Sequence, residues 1–193
     1  NAFRINYNGG TNSDTVTITS VAATNHAPTS IALTSSSILE NQPIGSTIGS
    51  LSGVDPDAGQ SATLTFSLVS GSGSTDNARF TIAGNLLKTA EVLDREAKAN
   101  YSIRIRATDD GTPGRTYDKV FTITALNVNE PPLVSSITDV TIAENEFAGP
   151  ISFTISDPET PSNTLLLTRS STNTALVPTT NILLGGSGAN RTV

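Results

Sequence analysis

Acidic and amide side chains recur along this chain at a fixed spacing, and their types suit one kind of chemistry, the holding of a hard cation. Glu40-Asn41 returns as Glu144-Asn145, and Asn25-His26-Ala27-Pro28 returns as Asn129-Glu130-Pro131-Pro132, each 104 residues further on. Asp55-Pro56-Asp57 returns as Asp157-Pro158-Glu159 after 102. Asp, Asn and Pro are turn formers, so these carboxylates belong to the turns of tandem copies of one domain. Nine of the 17 acids (Glu40, Asp55, Asp57, Asp94, Glu96, Asp109, Glu130, Asp157 and Glu159) lie in or beside such turns, where solvation alone would scatter them. The pattern points to a metal-braced repeat array rather than an enzyme.

Other chemistries lack their parts. The single histidine sits in a linker, and no Ser/His/Asp or Cys/His arrangement assembles around it. Gly9-Gly10, Gly71-Ser72-Gly73 and Gly185-Gly186 lack the lysine and the strand–helix setting of a phosphate loop. Asp94 and Glu96 could be spaced as a glycosidase pair, but tryptophan is absent and only three tyrosines are available to line a sugar pocket. Cysteine is absent, which excludes disulfides and thiolate chemistry. A net charge of −6 disfavours nucleic acid and anionic membrane surfaces as partners. No apolar run reaches 18 residues, so the segment is not expected to insert in a membrane.

The elements that must position these acids have a period of two. Tyr101, Ile103, Ile105 and Ala107 alternate with Ser102, Arg104, Arg106 and Thr108, as in a strand with one face buried. Leu64, Phe66 and Leu68 alternate with Thr and Ser, as do Phe121, Ile123 and Ala125, and again Ile151, Phe153 and Ile155. Only 87–99 has a helical look, and its Leu-Asp-Arg-Glu centre argues against a long helix. Turn clusters separate the runs at the spacing of an all-β sandwich.

The period of about 104 divides the chain into the C-terminal strands of one module (1–24), a complete module (25–128) and the N-terminal part of a third (129–193). The chain thus reads as an excerpt of a longer array. For the middle module seven strands are expected in a Greek-key sandwich: A near 30–39, B 45–53, C 62–69, D 78–82, E 85–89, F 100–108 and G 117–126.

Alternating strand direction then assigns the acids to ends. Asp55, Asp57 and Asp109 share the upstream pole with the first linker. Glu40, Asp94, Glu96 and Glu130 share the downstream pole, where the next module adds Asp157 and Glu159. Two carboxylates about 5 Å apart repel by roughly 3 kcal/mol at an effective dielectric near 20, so such crowding calls for a counter-cation. The donors are all hard oxygen, which fits calcium better than zinc, copper or magnesium.

Five motifs together resemble the cadherin repeat in order and approximate spacing: Glu40-Asn41, Asp55-x-Asp57, Leu93-Asp94-Arg95-Glu96, Ala107-Thr108-Asp109 and Asn127-Val128-Asn129-Glu130-Pro131. The resemblance covers about 25–132. It implies calcium between adjacent modules, with Glu40, Asp94, Glu96, Asn129, Glu130, Asp157 and Glu159 as downstream ligands and carbonyls from Val128 and Pro131. Upstream it implies Asn25, Ala27, Asp55, Asp57 and Asp109. There are departures: Asn127 replaces an expected Asp, Glu130 another, and Pro131 an Asn. In the first linker His26 stands where an Asp is expected, so fewer ions are expected there, and His26 itself reads as structural or exposed.

The third stretch, through Thr141-Ile142-Ala143-Glu144-Asn145 and the Ser/Thr/Asn-rich 170–178, resembles the cadherin-like and immunoglobulin-like repeats of large bacterial surface proteins. The expected role is an extracellular or cell-surface, calcium-rigidified stalk or adhesive array. Its partners would be adjacent modules of the same chain, and a like module, glycan or protein on another cell. Two rival readings are a non-catalytic accessory module of a secreted polysaccharide-degrading enzyme and a glycan-binding module.

Overall fold

The computed structural model describes residues 24–193, so the expected strands of 1–23 lie outside the described residues. Two four-stranded sheets are built from β1 (Ser30–Leu33), β2 (Ser37–Leu39), β3 (Thr47–Val54), β4 (Thr65–Leu68), β5 (Phe80–Ala83), β6 (Leu86–Thr89), β7 (Asn100–Thr108) and β8 (Thr116–Leu126). One sheet runs β1-β3-β6-β5 and the other β2-β8-β7-β4. The alternation read in 100–108 is the burial pattern of β7, in which Tyr101, Ile103, Ile105 and Ala107 point inward and their neighbours outward. Ile31, Ile48, Leu51, Phe80 and Leu87 meet them from the first sheet, with Ile123 and Ala125 beside them on β8. Phe80 packs edge-on against Tyr101, ring centroids 5.8 Å apart.

The expected strand A is two strands in different sheets. β1 pairs antiparallel with β3, while β2 pairs parallel with β8. The chain crosses between them at Thr34–Ser36, close against β3. Gly49 makes that approach feasible, because a Cβ there would lie 2.8 Å from both the nitrogen and the oxygen of Ser35. The ladder between β3 and β6 is irregular at the same place, between Thr47 and Gly49. The crossing carries the chain to the downstream end of β8, where Glu40 is needed. No helix forms over 87–99; β6 occupies its start and a tight turn the rest.

Beyond the linker, β9 (Leu133–Val134), β10 (Ser152–Ser156), β11 (Gly185–Ser187) and β12 (Asn190–Thr192) form a third sheet in the order β11-β12-β10-β9. Two of its ladders, β10 with β12 and β11 with β12, repeat registers of the first sheet. Gly49 faces Leu87 and Phe153 faces Arg191; Ile82 faces Leu87 and Gly186 faces Arg191. Each of these partners is displaced by 104. The hairpin turns match too, with Gly84 and Gly188 both left-handed at φ 62° and 59°. Among the described residues no helix is long and apolar enough to cross a membrane.

Candidate metal centre

Glu40 is placed by the bend that follows β2. Asn41 adopts a left-handed backbone (φ 58°), and Asn145 in the second Glu-Asn pair does the same (φ 66°), a conformation that asparagine tolerates better than most residues. The bend is stitched on both sides, by the Glu40 N–H to the Leu126 carbonyl (3.0 Å) and the Asn41 N–H to the Leu93 carbonyl (2.9 Å). The Glu40 side chain is 1% exposed. Its carboxylate accepts the N–H of Arg95 at 2.6 Å and the N–H of Val128 at 2.8 Å. One buried acid therefore ties the end of strand A to the turn after β6 and to the linker after β8. Burial works against its ionisation, but these two N–H donors hold the carboxyl below its ordinary range.

Glu96 stands on the turn between β6 and β7. Asp94 closes that turn itself, its Oδ1 accepting the Ala97 N–H at 2.9 Å and its carbonyl the Lys98 N–H at 3.0 Å. The turn is anchored from beneath by Asp76, 5% exposed, which accepts the Lys98 ammonium at 2.5 Å and the Ser102 N–H at 2.7 Å. Sequence reasoning did not single out Asp76. It belongs to no repeated motif, and only the fold brings it beneath Lys98.

Four acids meet at the downstream pole. Glu40, Glu96, Glu130 and Glu159 each offer a carboxylate oxygen, and these oxygens lie within 4.8 Å of one another. Three come from the β1–β8 sandwich and the linker after it, the fourth from the turn after β10. The Glu130 N–H donates to Glu159 Oε2 at 3.3 Å. Glu130 Oε2 and Glu159 Oε1 are buried and have no hydrogen-bond partner. Two buried carboxylate oxygens without donors, in the company of two further acids, are costly unless a cation or a proton fills the gap. The facing Glu159 carboxylate, which favours a proton held between the two side chains, then burial and the neighbouring negative charges, push the Glu130 carboxyl up to about 7. Burial and the nearby Glu40 charge raise Glu96 as well.

The remaining downstream candidates stand outside this group. Asp94 and Asp157 turn their Oδ1 atoms into their own loops, Asp157 accepting the N–H groups of Glu159 (3.1 Å) and Thr160 (2.7 Å). Asn129 donates its amide to the Glu130 carbonyl at 3.1 Å, Val128 gives its N–H to Glu40, and Pro131 is exposed in the linker. Asn41, not among the expected ligands, bonds its amide to Glu130. Its signal was present in the repeated Glu-Asn pair.

The upstream pole gathers Asn25, Asp55, Asp57 and Asp109 as topology requires. Asp55 and Asp109 are 7% and 6% exposed. Asn25 donates to Asp109 Oδ2 at 3.1 Å and to the Pro113 carbonyl at 2.9 Å, and accepts the amide of Gln60 at 3.1 Å. Gly111 leaves room for it, since a Cβ there would come 2.1 Å from the Asn25 amide. Asp109 Oδ1 accepts the N–H groups of Gly111 (3.1 Å) and Arg115 (2.9 Å). His26 grips Asp57 twice, by its backbone N–H to Oδ2 at 2.6 Å and by Nδ1 at 2.9 Å from Oδ1. The His26 backbone N–H first, then its side chain, holds the Asp57 carboxyl below its ordinary range. Ala27 is half-buried in the linker beside them.

Residues 34–126 match the family model described as the cadherin domain. This stretch is a cadherin domain. Relatives of the chain include human Protocadherin-23, 30% identical over 128 residues that make up 64% of this chain and 4% of that protein. Rat Cadherin-23 is 34% identical over 116 residues, 58% of this chain and 4% of that protein. The chain thus spans about 4% of the length of these relatives. Among solved structures, that of the Protocadherin GammaB4 extracellular domain is similar at 26% identity and a TM-score of 0.46, covering 86% of this chain and 27% of that one. The matched stretch reaches from the crossing that follows β1 to the end of β8, and β1 completes the same sandwich by pairing with β3. Both Glu40 and the Asp76 anchor therefore lie within it.

Proposed function

We propose that this chain is a calcium-braced segment of an extracellular cadherin array, in which a divalent ion at the downstream pole locks the cadherin domain to the module after it. The observation that carries the reading is the group formed by Glu40, Glu96, Glu130 and Glu159, with two buried carboxylate oxygens lacking donors. Its donor chemistry fits calcium, a hard ion that takes six to eight oxygens in flexible geometry and accepts carboxylates and carbonyls together. Three ligands on one module and one on the next make the ion a clamp across the joint. The repeated strand registers support reading 129–193 as the start of a second such module. A calcium-stiffened array suits a stalk or an adhesive spacer. Affinities of about 10⁻⁴ to 10⁻³ M, usual for extracellular modules, would leave such sites filled only outside a cell.

Calcium should raise the melting temperature of the chain, and a chelator should reverse the rise. Protons add a second signature. The Glu130 carboxyl, at about 7 in the folded chain, lies above its ordinary value of 4.5. A raised carboxyl contributes stability that is present below the ordinary value and lost as pH rises through the folded one. Without calcium, the joint should therefore loosen between about pH 5 and pH 8. Calcium binding near pH 6.5 should release a proton, detected as a heat that varies with the ionisation enthalpy of the buffer. A binding heat independent of buffer would count against Glu130 as a ligand.

A further inference from the structure

The two poles of the cadherin domain are chemically opposite versions of one joint. His26 and Glu130 occupy the same place in the repeat, as do Asp57 and Glu159. In both joints the linker residue donates its backbone N–H to the second acid of the turn, His26 to Asp57 at 2.6 Å and Glu130 to Glu159 at 3.3 Å. The side chains then part ways. Downstream, the linker adds a second carboxylate and leaves two buried oxygens without donors. Upstream, it adds an imidazole whose Nδ1 lies 2.9 Å from the remaining oxygen of Asp57. An Nδ1–H can donate to that oxygen whether or not the ring is charged.

Most of the other carboxylate oxygens described at the upstream pole also have donors. Asp109 has the Asn25 amide on one oxygen and the N–H groups of Gly111 and Arg115 on the other. Asp55 Oδ1 accepts the Asp57 N–H at 2.8 Å. Among the carboxylate oxygens of these three acids, only Asp55 Oδ2 is buried without a partner. Gln60 Oε1, beside Asn25, is also buried without a partner, and two free oxygens among the described residues at this pole are far short of the six to eight a calcium ion takes.

We infer that His26 closes the upstream joint in place of a divalent cation, so that among the described residues the calcium requirement falls at the downstream pole alone. The inference rests on the reading of the downstream group as the calcium site. It makes the segment asymmetric: one joint answers to calcium, and the other is held by protein donors whatever the calcium level.

The test is calcium uptake by the full chain, measured by titration calorimetry, with melting in chelator confirming that each variant folds. The double variant E96Q/E159Q is expected to lose calcium uptake, and D57N to keep the wild-type stoichiometry. Adding H26E to E96Q/E159Q should restore at least one equivalent, because it recreates upstream the carboxylate pair found downstream; H26D serves the same purpose with a shorter side chain. Uptake that survives E96Q/E159Q and falls with D57N overturns the inference. So does a failure of both H26E and H26D to bind calcium. Uptake that survives both E96Q/E159Q and D57N overturns the downstream reading instead.

Discussion

Glu40→Ala should destabilise the cadherin domain by about 3 kcal/mol, more than any other single change at the joint. The Glu40 carboxylate is buried and accepts two backbone N–H groups, from Arg95 and Val128, that belong to separate segments. A hydrogen bond to a charged group contributes about 1.5–3 kcal/mol, and the loss would leave both donors without a partner in a dry setting. Relief of repulsion with Glu96 and Glu130 offsets part of this, which keeps the expected figure near the lower end of the two-bond sum. The variant should also lose calcium-dependent stabilisation, since one of the four clustered oxygens goes with it. Chemical denaturation with and without calcium separates the two effects. A Glu40→Ala chain as stable as the wild type in chelator would mean that the buried tie contributes little.

Ile103→Ala should cost a similar amount for an unrelated reason. Ile103 is fully buried at the centre of β7, facing Phe121 across the ladder. Removing three carbons from such a position costs about 2–5 kcal/mol, the spread reflecting how far the cavity collapses. At about 3 kcal/mol, a module of this size should melt more than about 10 °C lower. Calcium should still bind, because β7 supplies none of the clustered acids. A melt shifted by only 1–2 °C would mean that the two sheets pack more loosely than their burial indicates.

Much of this architecture was legible because period-two alternation and repeated turns are local signals. Residues 100–108 and 117–126 read as strands from their own composition, and β7 and β8 follow with little change of boundary. The split of strand A was not legible. Its cause is a close backbone approach at Gly49, a long-range contact that no local pattern announces. The gathering of acids at two poles followed from strand parity alone. Which acids then face one another depends on side-chain geometry: Asp94 and Asp157 satisfy their own turns, whereas Glu96 and Glu159, two residues further on, reach across. Asp-x-Glu turns commonly spend the first carboxylate on the loop's own N–H groups. Asp76 carried no signal because its partners, Lys98 and the Ser102 N–H, are more than twenty residues away. His26 was legible as a departure from a pattern, but not as a two-point grip on Asp57.

The most direct measurement is a crystal structure of the chain grown in millimolar calcium. The account predicts density for an ion bonded at about 2.3–2.6 Å to oxygens of Glu40, Glu96, Glu130 and Glu159, bridging the two sides of the downstream linker. Carboxylates turned away from one another, with only water between them, would contradict it.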